Sequence, residues 1–143
     1  MLRENKMNKV EHIGIAVNNM EESKWLFSRI LNINAYKTEN VPTEGVSTSF
    51  FRIGESKIEL LEATTDDSPI RTFIKKKGEG IHHIAFEVAD IESEMKRLKK
   101  EGFVLLNENP KRGADNKLVC FIHPKSANGV LIELCQEIRV NHE

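Results

Sequence analysis

Cysteine is scarce in this chain of 143 residues: only Cys120 and Cys135 occur. Their wide spacing excludes a zinc-thiolate site, and their number excludes a disulfide scaffold. Both sit in strand-like runs and are expected to be small core residues with free thiols. Charge of one sign is not in excess either. A net charge of −1 argues against bulk attraction to nucleic acid or to an anionic membrane. Long apolar runs are missing, and none approaches the roughly 20 residues that cross a bilayer. Met1-Leu2-Arg3-Glu4-Asn5-Lys6 leads into no apolar signal core, so no export signal is expected. With 39% hydrophobic and 30% charged residues, the expectation is a single soluble cytoplasmic domain of 1–143.

What the chain does have is a repeat. Val10-Glu11-His12-Ile13-Gly14-Ile15-Ala16-Val17 returns as Ile81-His82-His83-Ile84-Ala85-Phe86-Glu87-Val88. Lys57-Ile58-Glu59-Leu60-Leu61 returns, in step, as Leu131-Ile132-Glu133-Leu134. Two copies are too few for a solenoid. They suit two paired modules instead, each with a sheet covered by a helix on one face.

Each half reads strand, helix, then three strands. In the first, about 9–63, the β-branched run 9–17 is a strand, and Asn19 three residues before Glu22 resembles a capping box. A helix to Leu31 follows, with Met20, Phe27 and Leu31 on one face. Strands are predicted near 34–39, over Val46–Ile53, and over Lys57–Glu62 after a Gly54-Glu55 turn. Residues 64–80 read as a linker carrying a short helix, Pro69–Lys77, closed by Gly78 and Gly80. The second half, about 81–137, predicts a strand at 81–88 and a helix capped by Asp90 that buries Ile91, Met95 and Leu98. Gly102 stops that helix. Strands near 103–106, 117–123 and 129–136 complete it, and the tail after Glu137 is expected to fray.

Strand alternation sorts the side chains. His12, Gly14 and Ala16 share one face; Ile13, Ile15 and Val17 share the other. His83 and Ala85 likewise oppose Ile84, Phe86 and Val88. The large apolar set is expected to face the helix, which leaves each histidine beside small neighbours. Glu59 and Glu133 are flanked by apolar residues that point the opposite way. A carboxylate in the middle of such a strand needs compensation if it is buried, and a metal supplies it. One histidine or one glutamate alone would read as an ordinary core or sheet residue. The recurrence of both in matching positions makes His12, Glu59, His83 and Glu133 candidate ligands of one divalent metal. Two imidazoles and two carboxylates suit Co, Mn, Ni, Zn or Fe.

At this point the pattern resembles the vicinal-oxygen-chelate superfamily, which includes glyoxalases, bleomycin-resistance proteins and dioxygenases. Within it, the chain resembles the methylmalonyl-CoA epimerase family from about Lys9 to Glu137. The most specific stretches are Val10–Val17, Ile58-Glu59-Leu60-Leu61-Glu62 with Asp67-Ser68-Pro69-Ile70, Gly80-Ile81-His82-His83-Ile84-Ala85, and His123-Pro124-Lys125-Ser126 before Gly129-Val130-Leu131-Ile132-Glu133-Leu134. The resemblance implies an α+β fold of two βαβββ modules, forming a curved mixed sheet around a metal cleft with the helices outside. It implies metal ligands at His12, Glu59, His83 and Glu133. His82, out of phase by strand alternation, is expected on the helix side or behind the ligands. Such epimerases carry a further glutamate before the third strand. Here the segment is Val41-Pro42-Thr43-Glu44-Gly45-Val46, where Thr43 takes that place in a gapless match and Glu44 falls one residue late. In an extended segment such a slip would turn the side chain away.

The implied activity is metal-dependent epimerisation of methylmalonyl-CoA at C2. A proton α to the thioester leaves through a metal-stabilised enolate and returns on the other face, with Glu133 and Glu44 as the proton-moving pair. Lys125 and Ser126 are candidate contacts for the acyl-CoA substrate, and the family suggests a homodimer. Alternatives share the fold: a glyoxalase I-like lactoylglutathione lyase, an iron-dependent ring-cleaving dioxygenase, or a non-catalytic small-molecule-binding module. A fourth ligand, Glu59, disfavours the dioxygenase, and four intact ligand positions disfavour the binding module.

Overall fold

The computed structural model describes residues 7–138; the expectations for the first six residues and for a frayed tail past 138 lie outside them. Contacts divide the chain into two compact units, His12–His83 and the described residues up to Glu11 and from Ile84 onward.

The first unit contains the second half of β1 (Met7–Ala16), then α1 (Met20–Leu31), β2 (Lys37–Val41), β3 (Val46–Ile53), β4 (Ser56–Ala63) and α2 (Pro69–Lys77), and ends within β5 (Gly80–Val88). Its strand order is β2-β3-β4-β1. β3 runs antiparallel to both β2 and β4, whereas β4 runs parallel to β1. The Asn19 side chain accepts from the Glu22 amide and caps α1, as the spacing predicts. Asn32, left-handed at φ 57°, ends the helix, and the Asn32 and Ile33 amides both return to the Ser28 carbonyl. β2 starts at Lys37, later than the expected 34, although the Tyr36 amide already bonds the Phe50 carbonyl of β3. α2 is capped by the Ser68 hydroxyl on the Ile70 amide, with Pro69 in its first turn, and it buries Ile70.

In the second unit, β5 leads to α3 (Ile91–Lys100), β6 (Lys111–Arg112), β7 (Lys117–Ile122) and β8 (Ile132–Glu137), ordered β5-β8-β7-β6. β8 is parallel to β5 and antiparallel to β7, so the pairing scheme of the first unit is repeated. Asp90 caps α3 through the Ser93 amide. Ile91, Met95 and Leu98 are buried against Val88, Cys120, Ile122 and Leu134, as their spacing predicts. The strand expected at 103–106 makes a single bridge, Leu105 to Ile122. The reason is local: the Asn107 side-chain oxygen takes the Phe121 amide at 3.0 Å and interrupts the ladder. The two-residue β6 supplies the edge pairing instead. The expected α+β class of two βαβββ modules is therefore observed, with the second strand of the second module much shortened.

In both modules the apolar face of the sheet is the helix face. Ile15, Val17, Phe51, Ile58 and Leu60 pack with Met20, Phe27 and Leu31 of α1. Each fully buried side chain of this size contributes about 1.5–3 kcal/mol, so these faces carry much of the stability and leave the opposite faces open to other chemistry. The cysteines divide between the two faces of the second sheet: Cys120 joins the α3 core, and Cys135 packs with Ala85 and Val119. Both are free thiols. Burial raises Cys120 to about 11, with the Glu133 charge adding to it, and burial raises Cys135 further still. Neither forms thiolate near neutrality. A disulfide-forming chromogenic reagent at pH 7.5 should therefore label neither cysteine in the folded protein and both in denaturant. Fast labelling of the native state would contradict this burial.

Candidate metal centre

His12 and Gly14 lie on the face of β1 away from α1, and both are buried. The register pairs Gly14 with Glu59 on β4, and Glu59 in turn with Phe50 on β3. Glu59 is 4% exposed, His12 6% and His83 4%. These three side chains converge. His12 Nε2 lies 3.3 Å from Glu59 Oε1, His83 Nε2 lies 3.5 Å from the same oxygen, and the two Nε2 atoms are 2.9 Å apart. The rings meet edge to face, with centroids 5.0 Å apart.

Gly14 makes this convergence possible. A Cβ there would fall onto the His83 ring, with Cε1, Nδ1 and Nε2 as its three nearest atoms. Sequence alternation predicts space beside His12. The structure fills that space with the imidazole of the other repeat.

The triad suits a divalent ion. Bonds of about 2.0–2.2 Å to imidazole nitrogen and carboxylate oxygen place neighbouring donors roughly 3.0–3.5 Å apart; the 3.3 and 3.5 Å separations match that spacing and the 2.9 Å one falls just short of it. The donor chemistry agrees. Burying a carboxylate costs several kcal/mol, while a hydrogen bond to a charged group returns only about 1.5–3. The two imidazoles meet Glu59 at long range and also compete for each other. A cation at the common point of the three donors would add to that compensation.

The remaining candidates lie elsewhere. Glu133, 6% exposed on β8, belongs to the second unit. It pairs with Ala85 as Glu59 pairs with Gly14, so the repeat persists in the backbone register. Glu44 ends a 3₁₀ turn, Pro42–Glu44, closed by Gly45 at φ 64°. The segment is wound, not extended, so a one-residue slip does not simply reverse the side chain: Thr43 is exposed and Glu44 half-buried. Lys125 and Ser126 fall in another 3₁₀ turn, Pro124–Ser126. There Lys125 is exposed, and the Ser126 hydroxyl accepts from the Val104 amide at 3.4 Å. Sequence reading does not single out Lys57, 6% exposed and opposite His12 in the register. The signal was present, because Lys57 stands two residues before Glu59 and shares its face.

The sequence profile of the Glyoxalase/Bleomycin resistance protein/Dioxygenase superfamily matches residues 11–121, and the chain belongs to this superfamily. Within it, the similarity is to epimerases. The mitochondrial methylmalonyl-CoA epimerase of Dictyostelium discoideum is 42% identical over 90% of this chain and 78% of its own length. The ethylmalonyl-CoA/methylmalonyl-CoA epimerase of Cereibacter sphaeroides is 39% identical over 91% of this chain and 98% of its own. A solved Streptomyces coelicolor methylmalonyl-CoA epimerase in complex with 2-nitronate-propionyl-CoA superposes with a TM-score of 0.89. It is 31% identical, over 93% of this chain and 99% of that one. The expected family and enzyme class agree with these relatives. Among the described residues, no helix is long and apolar enough to cross a membrane.

Replacing Gly14 by Ala should force the His83 ring aside. The expected cost is about 1–3 kcal/mol from overpacking, read by urea denaturation, together with weaker retention of divalent metal on dialysis. Unchanged stability and metal content would refute the close packing of Gly14 on His83.

Proposed function

We propose that this chain epimerises methylmalonyl-CoA at C2 with the help of a divalent metal. The observation that carries the reading is the buried His12–Glu59–His83 triad, whose donors lie 2.9–3.5 Å apart, in a chain similar to epimerases along nearly all of its length. His12, Glu59, His83 and Glu133 would hold the ion. When bound, the ion acts as a Lewis acid toward the thioester oxygen, where negative charge grows as the C2 proton leaves.

Two carboxylates then move the proton. Glu133 takes it from one face of C2, and Glu44 returns one from the other, so no atom is gained or lost and no electron pair leaves the substrate. Glu44 is supported by its half-buried place at the end of a turn that leads directly into β3. Ser126 keeps its O–H hydrogen while its oxygen accepts from Val104, and Lys125 offers an exposed ammonium. Both suit contacts to a CoA thioester. The free buried thiols suit a reducing cytoplasm. A homodimer completes the reading on the strength of the resemblance, and sedimentation equilibrium checks it.

Incubation in D₂O should place deuterium at C2 of methylmalonyl-CoA with metal-loaded protein and not after chelation. Methylglyoxal with glutathione should yield no lactoylglutathione. Absence of exchange by the metal-loaded protein would sink the epimerase assignment, and turnover of the hemithioacetal would favour the lyase. Glu133→Gln and Glu44→Gln should each slow exchange by about 10²–10⁴-fold, the usual contribution of a positioned acid or base. A Glu44→Gln variant with normal exchange would remove Glu44 from the mechanism.

A further inference from the structure

The residue before His83 has its own geometry. His82 Nδ1 lies 2.9 Å from His83 Nδ1, within hydrogen-bond range. The two rings are perpendicular, with centroids 5.2 Å apart. On its other side, the His82 ring meets Phe73 of α2 edge to face at 4.9 Å. α2 is itself anchored by the Ser68 cap and the buried Ile70. The His82 ring is therefore held between a packed helix and the nitrogen of His83 that points away from Glu59.

We propose that His82 is a positioning residue for His83: it accepts a hydrogen bond from His83 Nδ1–H and so leaves the His83 Nε2 lone pair facing Glu59 and His12. The inference rests on the metal reading of the triad. Only one hydrogen can occupy the Nδ1–Nδ1 contact between neutral rings, so one ring donates and the other accepts. A ligating His83 needs an unprotonated Nε2, which puts its hydrogen on Nδ1. His82 must then accept at Nδ1 and carry its own hydrogen on Nε2. Gly14 completes the arrangement by admitting the His83 ring against the strand. Ring position, tautomer and lone-pair direction are thus set by Gly14, His82 and, through Phe73, α2. Such partners of a ligand histidine are commonly worth about 10- to 100-fold in metal affinity.

The test compares two amides. An asparagine oxygen occupies the position of an imidazole Nδ1, whereas a glutamine amide reaches the Nε2 position. Both substitutions lose the ring contact with Phe73. His82→Asn should keep the acceptor and hold zinc close to the wild-type affinity in chelator competition. His82→Gln should bind about 10- to 100-fold more weakly, with activity restored by excess metal. In the metal-free protein, nitrogen-15 NMR should show His83 protonated at Nδ1 in the wild type and in His82→Asn, and a mixture of tautomers in His82→Gln. Equal affinities for the two variants, or a wild-type His83 protonated at Nε2, would overturn the proposal. A wild-type protein that binds no metal would fail the metal reading instead, and the tautomer spectrum would still decide the His82 contact.

Discussion

The buried carboxylate of Glu59 is the constraint on which the site depends. It lies in the middle of a strand, with apolar neighbours facing the opposite way and less than a twentieth of its surface exposed. A carboxylate so placed costs several kcal/mol unless it is compensated. Two imidazoles at 3.3 and 3.5 Å return part of that cost. Their mutual contact at 2.9 Å limits what each can give, because a hydrogen shared between them is not donated to the carboxylate. Three donors gathered this closely in a buried pocket make a place that could hold a cation. The residues around them follow from this: a glycine where a side chain would displace an imidazole, a second histidine behind the first, and a helix behind that.

The rest of the fold keeps this expensive group apart from the stabilising core. Each sheet spends one face on helix packing, where Phe51, Leu60, Leu134 and Ile91 are almost entirely out of water. The opposite face is then free to hold polar groups. The repeated register makes the division reproducible: a small residue of the first strand of each module pairs with a glutamate of the last, Gly14 with Glu59 and Ala85 with Glu133. The same local chemistry is therefore laid down twice by the same parallel pairing, even though the two pairs fall in different compact units.

Much of this was legible from residue patterns. Caps at Asn19 and Asp90, the buried stripe of α3 and the two faces of β1 and β5 follow from short-range rules of spacing and hydrogen bonding. Failures occurred where long-range pairing competes with local preference. The apolar run at 103–106 has strand character, but Asn107 diverts the amide that its ladder needs. A strand was expected from about residue 34, yet β2 starts at Lys37, and of the residues before it the Tyr36 amide bonds the Phe50 carbonyl of β3. Around Glu44, sequence matching assumes an extended segment, whereas a 3₁₀ turn winds it.

By itself, the sequence determined the duplication, the strand and helix order, and the side of the strand on which His12, Glu59 and His83 lie. Alternation and capping are local, so they can be read without knowing what packs where. Only the tertiary structure decided that His12, Glu59 and His83 meet within 3.5 Å, that Gly14 is small because an imidazole from 69 residues away rests on it, and that His82 abuts the outer nitrogen of its neighbour. Those relations depend on which strands pair and in what register. That choice is made by the packing of whole elements, and no short window of sequence contains it.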